Sequence, residues 1–176
     1  CQLLKHKILI GLLYGCGLRC GEVRAVRLQD MDFERLQLKV VQGKGKKDRY
    51  VPLSEHLIRG LKTYIEAEKP KTYLFNGQPA GRAGGDFDSR YSARGVQWVV
   101  KQACKAAGIT KDVCVHTLRH TFATHLLEDG LDIITLKNLL GHADIETTML
   151  YLQIAQLESQ KAFSPLDTLF EKCGSK

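Results

Sequence analysis

The chain has 176 residues, 44% of them apolar, which suits one domain with its own core and leaves little room for a second. With 26 Lys and Arg against 19 Asp and Glu, its formal net charge of +7 favours polyanionic partners, nucleic acid foremost. Six cysteines without a CxxC pair argue against a zinc site and indicate reduced thiols in a cytosolic protein. The apolar run at 8–14 is short and follows Lys5, His6 and Lys7, which argues against a signal peptide or a membrane span.

In the first half of the chain, apolar periodicity predicts helices on either side of a small hairpin. The expected elements, in chain order, are helices over 3–14 and about 20–28, strands over 36–41 and 49–53, and a helix capped by Ser54. The glycine- and lysine-rich residues 43–48 favour a tight turn between the strands, which places Lys44 near the hairpin tip.

The second half is predicted to be helical after a surface loop at 76–90, which is rich in glycine and contains Arg82 and Arg90. The expected helices cover about 92–107, 116–127 and 132–140, followed by one capped by Asp144 and a last one that begins near Ser164 and Pro165 with Leu166, Leu169 and Phe170 on one face. The predicted fold class is therefore α+β, mainly α-helical with a small antiparallel β-sheet.

Three kinds of side chain in this sequence, imidazole, guanidinium and phenol, are suited to holding and attacking a phosphodiester. His116 and Arg119, three residues apart on a predicted helix, project from one face and can reach the same phosphate. Gly141 ends a helix and turns the chain at His142, and Tyr151 follows two helical turns after the Asp144 cap. Arg19, at a predicted helix start, can supply a second guanidinium group for the non-bridging oxygens.

Each of these residues also has a simpler interpretation. Tyr151 can be an amphipathic core residue with its hydroxyl at the surface, and Lys44, Lys46 and Lys47 can form a solvated hairpin tip that only touches backbone phosphate. The spacing of a nucleotide-binding P-loop is absent around Lys44. His120, one turn beyond His116, is interpreted as a structural residue that buttresses it.

Four sequence blocks nevertheless match one family in identity, order and spacing. They are YGCGLRCGEV around Arg19, VVQGKGKKDRYVPL around Lys44, HTLRHTFATHLLEDG from His116 and LLGHADIETTMLY ending at Tyr151. Over residues 11–156 the chain resembles the catalytic domain of the tyrosine recombinase (phage integrase) family, most closely its Xer-like and integron-integrase-like members. The resemblance implies the tyrosine recombinase catalytic-domain fold, and a site-specific recombinase that cuts and rejoins DNA through a covalent 3′-phosphotyrosine.

The resemblance also implies a role for each matched residue. Tyr151 is the implied nucleophile and His116 its proton acceptor, because a phenol with a pKa of ~10 needs a base at neutral pH. The implied supporting residues are Arg19 and Arg119 as clamps of the non-bridging oxygens, Lys44 as general acid for the leaving 5′-oxygen, His142 as a hydrogen-bond partner of the phosphate or nucleophile, and Glu22 as the residue that orients Arg19. No metal and no ATP are implied, since the cationic side chains supply the positive charge.

The implied partner is double-stranded DNA, contacted by a set of basic residues: Lys46, Lys47, Arg49, Arg82 and Arg90. The family assembles as tetramers on DNA, and we expect a monomer in isolation, in the bacterial cytoplasm at the nucleoid. Residues 1–176 are expected to form a C-terminal catalytic domain without the N-terminal core-binding domain, because the chain begins within a predicted helix.

Two rival functions remain open at this point. A type IB topoisomerase shares the phosphotyrosine chemistry, although a lysine usually stands at the position of His116 in that family. A non-catalytic helix-turn-helix module is the other rival, because residues 132–151 place a glycine turn between two helices.

Overall fold

The computed structural model describes residues 3–41, 48–77 and 90–154. The helices are α1 (Leu4–Gly15), α2 (Cys20–Ala25), α3 (Glu55–Glu68), α4 (Ala93–Ala106), α5 (Val115–Glu128), α6 (Ile133–Leu140) and α7 (Glu146–Ile154), and the strands are β1 (Met31–Asp32), β2 (Gln37–Val40) and β3 (Arg49–Pro52). This mostly helical arrangement with a small antiparallel sheet confirms the predicted fold class. The predicted last helix, with Leu166, Leu169 and Phe170, lies outside the described residues.

The sheet has the strand order β1-β2-β3, and both pairings are antiparallel. Leu38 pairs with Val51 and Val40 with Arg49, and the side chains along β3 alternate between buried and exposed. Arg49 is therefore on the same, inward face of β3 as Val51.

One helix boundary differs from the prediction. Helix α2 ends at Ala25 rather than near residue 28, and Leu28–Asp30 forms a separate 3-10 turn. The carboxylate of Asp30 accepts a hydrogen bond from the Arg27 backbone N–H at 3.0 Å. Such a local side-chain bond competes with helical hydrogen bonding, which explains the break.

The core has two parts. The larger part packs α1, the sheet, α3 and α4 together with the start of α5. The smaller part joins α5, α6 and α7 through buried side chains that include Phe122, Leu136, Leu140 and Tyr151. Tyr151 is thus held by packing in the smaller part of the core. None of the helices within the described residues is long and apolar enough to cross a bilayer.

Gly17, in the turn between α1 and α2, brings two helices into close approach. Its φ is +59°, and a Cβ at this position would lie 2.4 Å from Cδ1 of Phe122 on α5. Its carbonyl oxygen accepts a hydrogen bond from Nη1 of Arg119 at 2.6 Å. This turn therefore fixes the distance between Arg19, two residues later, and α5.

We expect Gly17→Ala to lower the free energy of unfolding by about 2–4 kcal/mol, because the change adds both a left-handed backbone strain and a steric clash. Gly130→Ala is the matched control: Gly130 also has a positive φ, but a Cβ added there would have no neighbouring atom within 4 Å. Gly130→Ala should lower the free energy of unfolding by about 1 kcal/mol, from backbone strain alone. Urea unfolding of the two variants measures the difference, and equal losses would contradict the proposed close packing on Phe122.

Candidate active site

Glu22 on α2 lies among three arginines. Its carboxylate accepts hydrogen bonds from the backbone N–H and the Nη1 of Arg19, both at 2.8 Å. Arg49 binds both carboxylate oxygens, with Nη1 2.8 Å from Oε1 and Nη2 2.9 Å from Oε2. Nη1 of Arg119 is 3.8 Å from Oε2. The Glu22 side chain is only 8% exposed, so it is largely withdrawn from water.

The charge state of this cluster follows from the balance of two effects on Glu22. Burial opposes its ionised form, but hydrogen bonds from Arg49 and Arg19 and the charge of Arg49 outweigh burial and lower the pKa of Glu22 to about 2. Glu22 is therefore ionised at neutral pH. Three guanidinium groups around one carboxylate leave a net charge of +2.

The carboxyl end of α6 holds two of these arginines. The carbonyl oxygen of Leu139 accepts a hydrogen bond from Nε of Arg49 at 2.7 Å, and that of Leu140 accepts one from Nη2 of Arg119 at 2.6 Å. The last carbonyls of a helix have no partner within it and carry the negative end of its dipole, so they suit cationic donors. Gly141 then ends α6 in the left-handed conformation, with φ of 63°.

His142, next after that glycine, is fixed at both ring nitrogens. Its Nε2 is 3.1 Å from Nη2 of Arg119, and its Nδ1 is 2.9 Å from Oγ1 of the fully buried Thr148. Arginine can only donate, so Nε2 is the acceptor and a neutral ring donates from Nδ1 to Thr148. Thr148 on α7 thus sets the tautomer and the direction of His142.

Tyr151 lies beside these groups and is 4% exposed. Its phenol lies near the Arg119 guanidinium, and its ring stacks on that of His142, with centroids 6.2 Å apart and an interplanar angle of 11°. Burial raises the pKa of Tyr151, although the positive charges of Arg119 and Arg19 oppose the rise. The hydroxyl is therefore protonated at neutral pH.

The two other rings near Tyr151 belong to α5. His116, in the first turn of α5, is exposed, and its ring centroid is 4.5 Å from that of His120. The His120 ring in turn lies 5.3 Å from that of Tyr151. Arg19, Arg119, His142 and Tyr151 are brought together directly, while His116 is joined to Tyr151 through His120.

The chain has the features of one known family along most of its length. A sequence model of the phage integrase family matches residues 1–158. The chain belongs to this family. It is 41% identical over 164 residues to a tyrosine recombinase of Thermosipho africanus, covering 93% of this chain and 54% of the relative. It is 37% identical over 160 residues to the tyrosine recombinase XerA of Pyrococcus horikoshii, covering 90% and 54%. The chain thus spans about half the length of these curated relatives.

Solved structures of the family have the same fold. A crystal structure of XerA recombinase is similar with a TM-score of 0.72 and 29% identity, covering 84% of this chain and 51% of that one. XerH recombinase, in a post-cleavage complex with its palindromic difH substrate, is similar in fold with a TM-score of 0.75 and 24% identity, covering 93% and 46%. The predicted tyrosine recombinase catalytic-domain fold is confirmed.

Within this family fold, the side chain of one residue predicted to contact DNA faces inward. Arg49 was expected to bind DNA, but its side chain is 7% exposed and its guanidinium is occupied by Glu22 and the Leu139 carbonyl. It points inward because β3 alternates, and Tyr50 takes the outward position at 59% exposure. Arg49 therefore joins β3 to α2 and α6, and its contact with DNA stays a prediction.

The other basic residues predicted for the site lie away from the Glu22 cluster or outside the described residues. Arg90 is half-buried, with its backbone in a β-bridge to Asn76 and its guanidinium 5.8 Å from the centroid of Tyr73. The remaining predicted residues, Lys44, Lys46, Lys47 and Arg82, lie outside the described residues. In the described part of the chain, no three His, Cys, Asp or Glu side chains are grouped as metal ligands.

Sequence reasoning missed one contributor to the site, Thr148, did not predict the inward direction of Arg49, and left His120 outside the predicted site. No local pattern in the sequence indicates a role for Thr148, because its contact with His142 forms only when the chain folds. The inward direction of Arg49 had a signal, since it occupies the same face as Val51 in an alternating strand.

We expect Glu22→Gln to lower the free energy of unfolding at pH 7 by about 3 kcal/mol, because it removes the charge that three arginines surround. The folded-state pKa of Glu22 is depressed, so its contribution is present above the ordinary value of 4.5 and is lost as pH falls toward about 2. The difference between wild type and variant should therefore shrink between these pH values. Urea unfolding at a series of pH values measures it, with Glu66→Gln on the exposed side of α3 as control. A pH-independent difference would contradict the ionised cluster.

Proposed function

We propose that residues 1–176 act as the catalytic domain of a site-specific recombinase that cleaves and rejoins double-stranded DNA through a 3′-phosphotyrosine. The observation that carries this proposal is the burial of the Tyr151 phenol against Arg119 and His142, next to a cluster of net charge +2, in a chain of the phage integrase family. A non-catalytic binding module has no use for this convergence.

The proposed step exchanges one ester bond for another. The Tyr151 oxygen attacks the phosphorus, the bond from phosphorus to the 5′-oxygen breaks, and the DNA 3′-phosphate becomes linked to the protein. The phenolic proton goes to His116, and the leaving 5′-oxygen takes a proton from Lys44. A 5′-hydroxyl from another strand reverses the step and rejoins the DNA. The ester bond is kept throughout, so the step uses no ATP.

Electrostatics favours the transition state of this reaction over its ground state. A phosphodiester carries one negative charge, and the transition state of its attack gathers more on the non-bridging oxygens. We assign Arg19, 22% exposed, and Arg119, 1% exposed, to that charge, and their contacts with Glu22 and with the carbonyls of Gly17 and Leu140 fix their positions before the phosphate arrives. The arginines and Lys44 supply the positive charge that a metal ion supplies in other phosphoryl-transfer sites, so the proposed mechanism uses no metal.

Double-stranded DNA is the proposed substrate, and the net charge of +7 supports it. XerH recombinase, similar in fold, was solved with its difH substrate. We assign phosphate contacts to the basic residues Lys46, Lys47, Arg82 and Arg90. The proposal includes a tetramer on DNA, a monomer in isolation, and a place at the bacterial nucleoid in the cytoplasm.

The test of the nucleophile is covalent trapping. We expect the wild-type chain to form a denaturant-resistant adduct with members of a library of nicked duplexes with randomised arms, because the nick lets the 5′-fragment diffuse away and traps the phosphotyrosine. Tyr151→Phe should form none while it binds the same DNA. Adduct from both proteins would reject Tyr151, and absence of adduct from wild type on bound DNA would reject the proposed function. Joining of two separate duplexes then separates a recombinase from a topoisomerase.

The proposed general acid is tested with a changed leaving group. We expect Lys44→Ala to slow adduct formation by roughly 100-fold or more on an ordinary phosphodiester. A sulfur in place of the bridging 5′-oxygen should largely restore the rate, because a thiol has a pKa of about 8.5 and its anion leaves without protonation. Lys46→Ala and Lys47→Ala are the controls, and both should weaken binding without a leaving-group effect. A Lys44→Ala defect that persists with sulfur would contradict the role.

A further inference from the structure

His120 occupies the space between the proposed base and the proposed nucleophile. It follows His116 by one turn of α5, and the two rings meet edge to face, with centroids 4.5 Å apart at 85°. On another side the His120 ring lies 5.3 Å from that of Tyr151. A ring in this place controls how the exposed His116 can turn toward Tyr151.

One atom of His120 has an unmet hydrogen-bonding capacity. Its Nδ1 is buried and has no hydrogen-bond partner in the described part of the chain. Buried polar atoms without a partner are uncommon in proteins and destabilise the fold, so such an atom calls for an explanation. Packing gives none, since an apolar ring would fill the same space without this cost.

The surroundings of His120 favour the neutral form of its ring. Burial lowers the pKa of His120, and the nearby His116 and Arg119 lower it further. A neutral imidazole has one nitrogen without a proton, and that nitrogen can only accept a hydrogen bond. The near neighbour able to offer a ring N–H is His116, whose side chain is exposed, whereas His120 is half-buried with its Nδ1 fully withdrawn from water.

We propose that Nδ1 of His120 accepts a hydrogen bond from the His116 imidazole when the phosphate is bound, and that this bond fixes the tautomer of His116. One nitrogen of His116 is then committed as a donor to His120, and its other nitrogen is left unprotonated to accept the Tyr151 proton. His120 is a positioning residue in this scheme: it acts through His116 and does not touch the reacting atoms. Orientation of a base by a third group is a general requirement of such sites. The inference rests on the proposed function, in which His116 is the base.

Two substitutions at His120 separate this role from packing, because they predict opposite orders of activity. Asn keeps a polar atom close to the position of Nδ1 but loses the ring, whereas Phe keeps the ring and loses both nitrogens. We expect His120→Asn to retain most of the wild-type rate of adduct formation on DNA selected from the nicked library, and His120→Phe to lose roughly 10- to 100-fold at saturating protein. His125→Phe, on the exposed side of the same helix, should match wild type.

The double variant shows whether His120 acts through His116. In a His116→Gln background, His120→Phe should have little further effect, since the group that it orients is gone. A purely structural role predicts the same loss in both backgrounds, and thermal unfolding of each variant measures any general destabilisation. The inference is overturned if His120→Phe is as active as His120→Asn or better, or if its loss is undiminished without His116. These outcomes presuppose wild-type adduct; its absence overturns the proposed function instead.

Discussion

The ion cluster around Glu22 is the interaction on which the arrangement of the site depends. Taking a carboxylate out of water is costly unless hydrogen bonds and opposite charges compensate it, and Glu22 receives both from Arg49 and Arg19. Because α2, β3 and α5 each contribute an arginine to this one carboxylate, the three elements cannot move independently without leaving a charge unpaired. The need to keep the buried Glu22 charge paired therefore fixes the positions of Arg19 and Arg119.

The end of α6 adds a second constraint of the same kind. Two successive carbonyl oxygens, of Leu139 and Leu140, bind Arg49 and Arg119, so the helix end and the ion cluster share the same two guanidinium groups. Gly141 allows the sharp turn that follows, and a Cβ there would come within 3.0 Å of Cδ of Arg49. The turn presents His142 to Arg119 at the point where α7 brings Thr148 and Tyr151. The residues that end α6 therefore also position the side chains of the site.

The sequence indicated which residues form the site better than it indicated where their side chains point. Motif spacing was enough to group Arg19, Arg119, His142 and Tyr151, and helical periodicity located the helices that hold them, because both depend on local sequence. Arg49 was predicted to contact DNA, yet its guanidinium binds the distant Glu22, to which β3 is joined only after folding. The Thr148 contact arose in the same way, from the meeting of α6 and α7. Contacts between elements far apart in sequence are the part that local patterns do not encode.

The protonation of Tyr151 links this architecture to the control of its chemistry. Two arginines lie near the phenol, and each favours the phenolate, but burial outweighs them and the pKa is raised. Tyr151 is thus protonated in the free protein, although Arg119 and Arg19 already lie near its phenol. Under the proposed mechanism, attack by Tyr151 requires a bound phosphate whose charge the arginines stabilise. It also requires a base with an unprotonated nitrogen, which is one of the histidines beside the ring. Under the proposed mechanism, burial of Tyr151 in the smaller core therefore restrains the nucleophile until a phosphate and a base act on it.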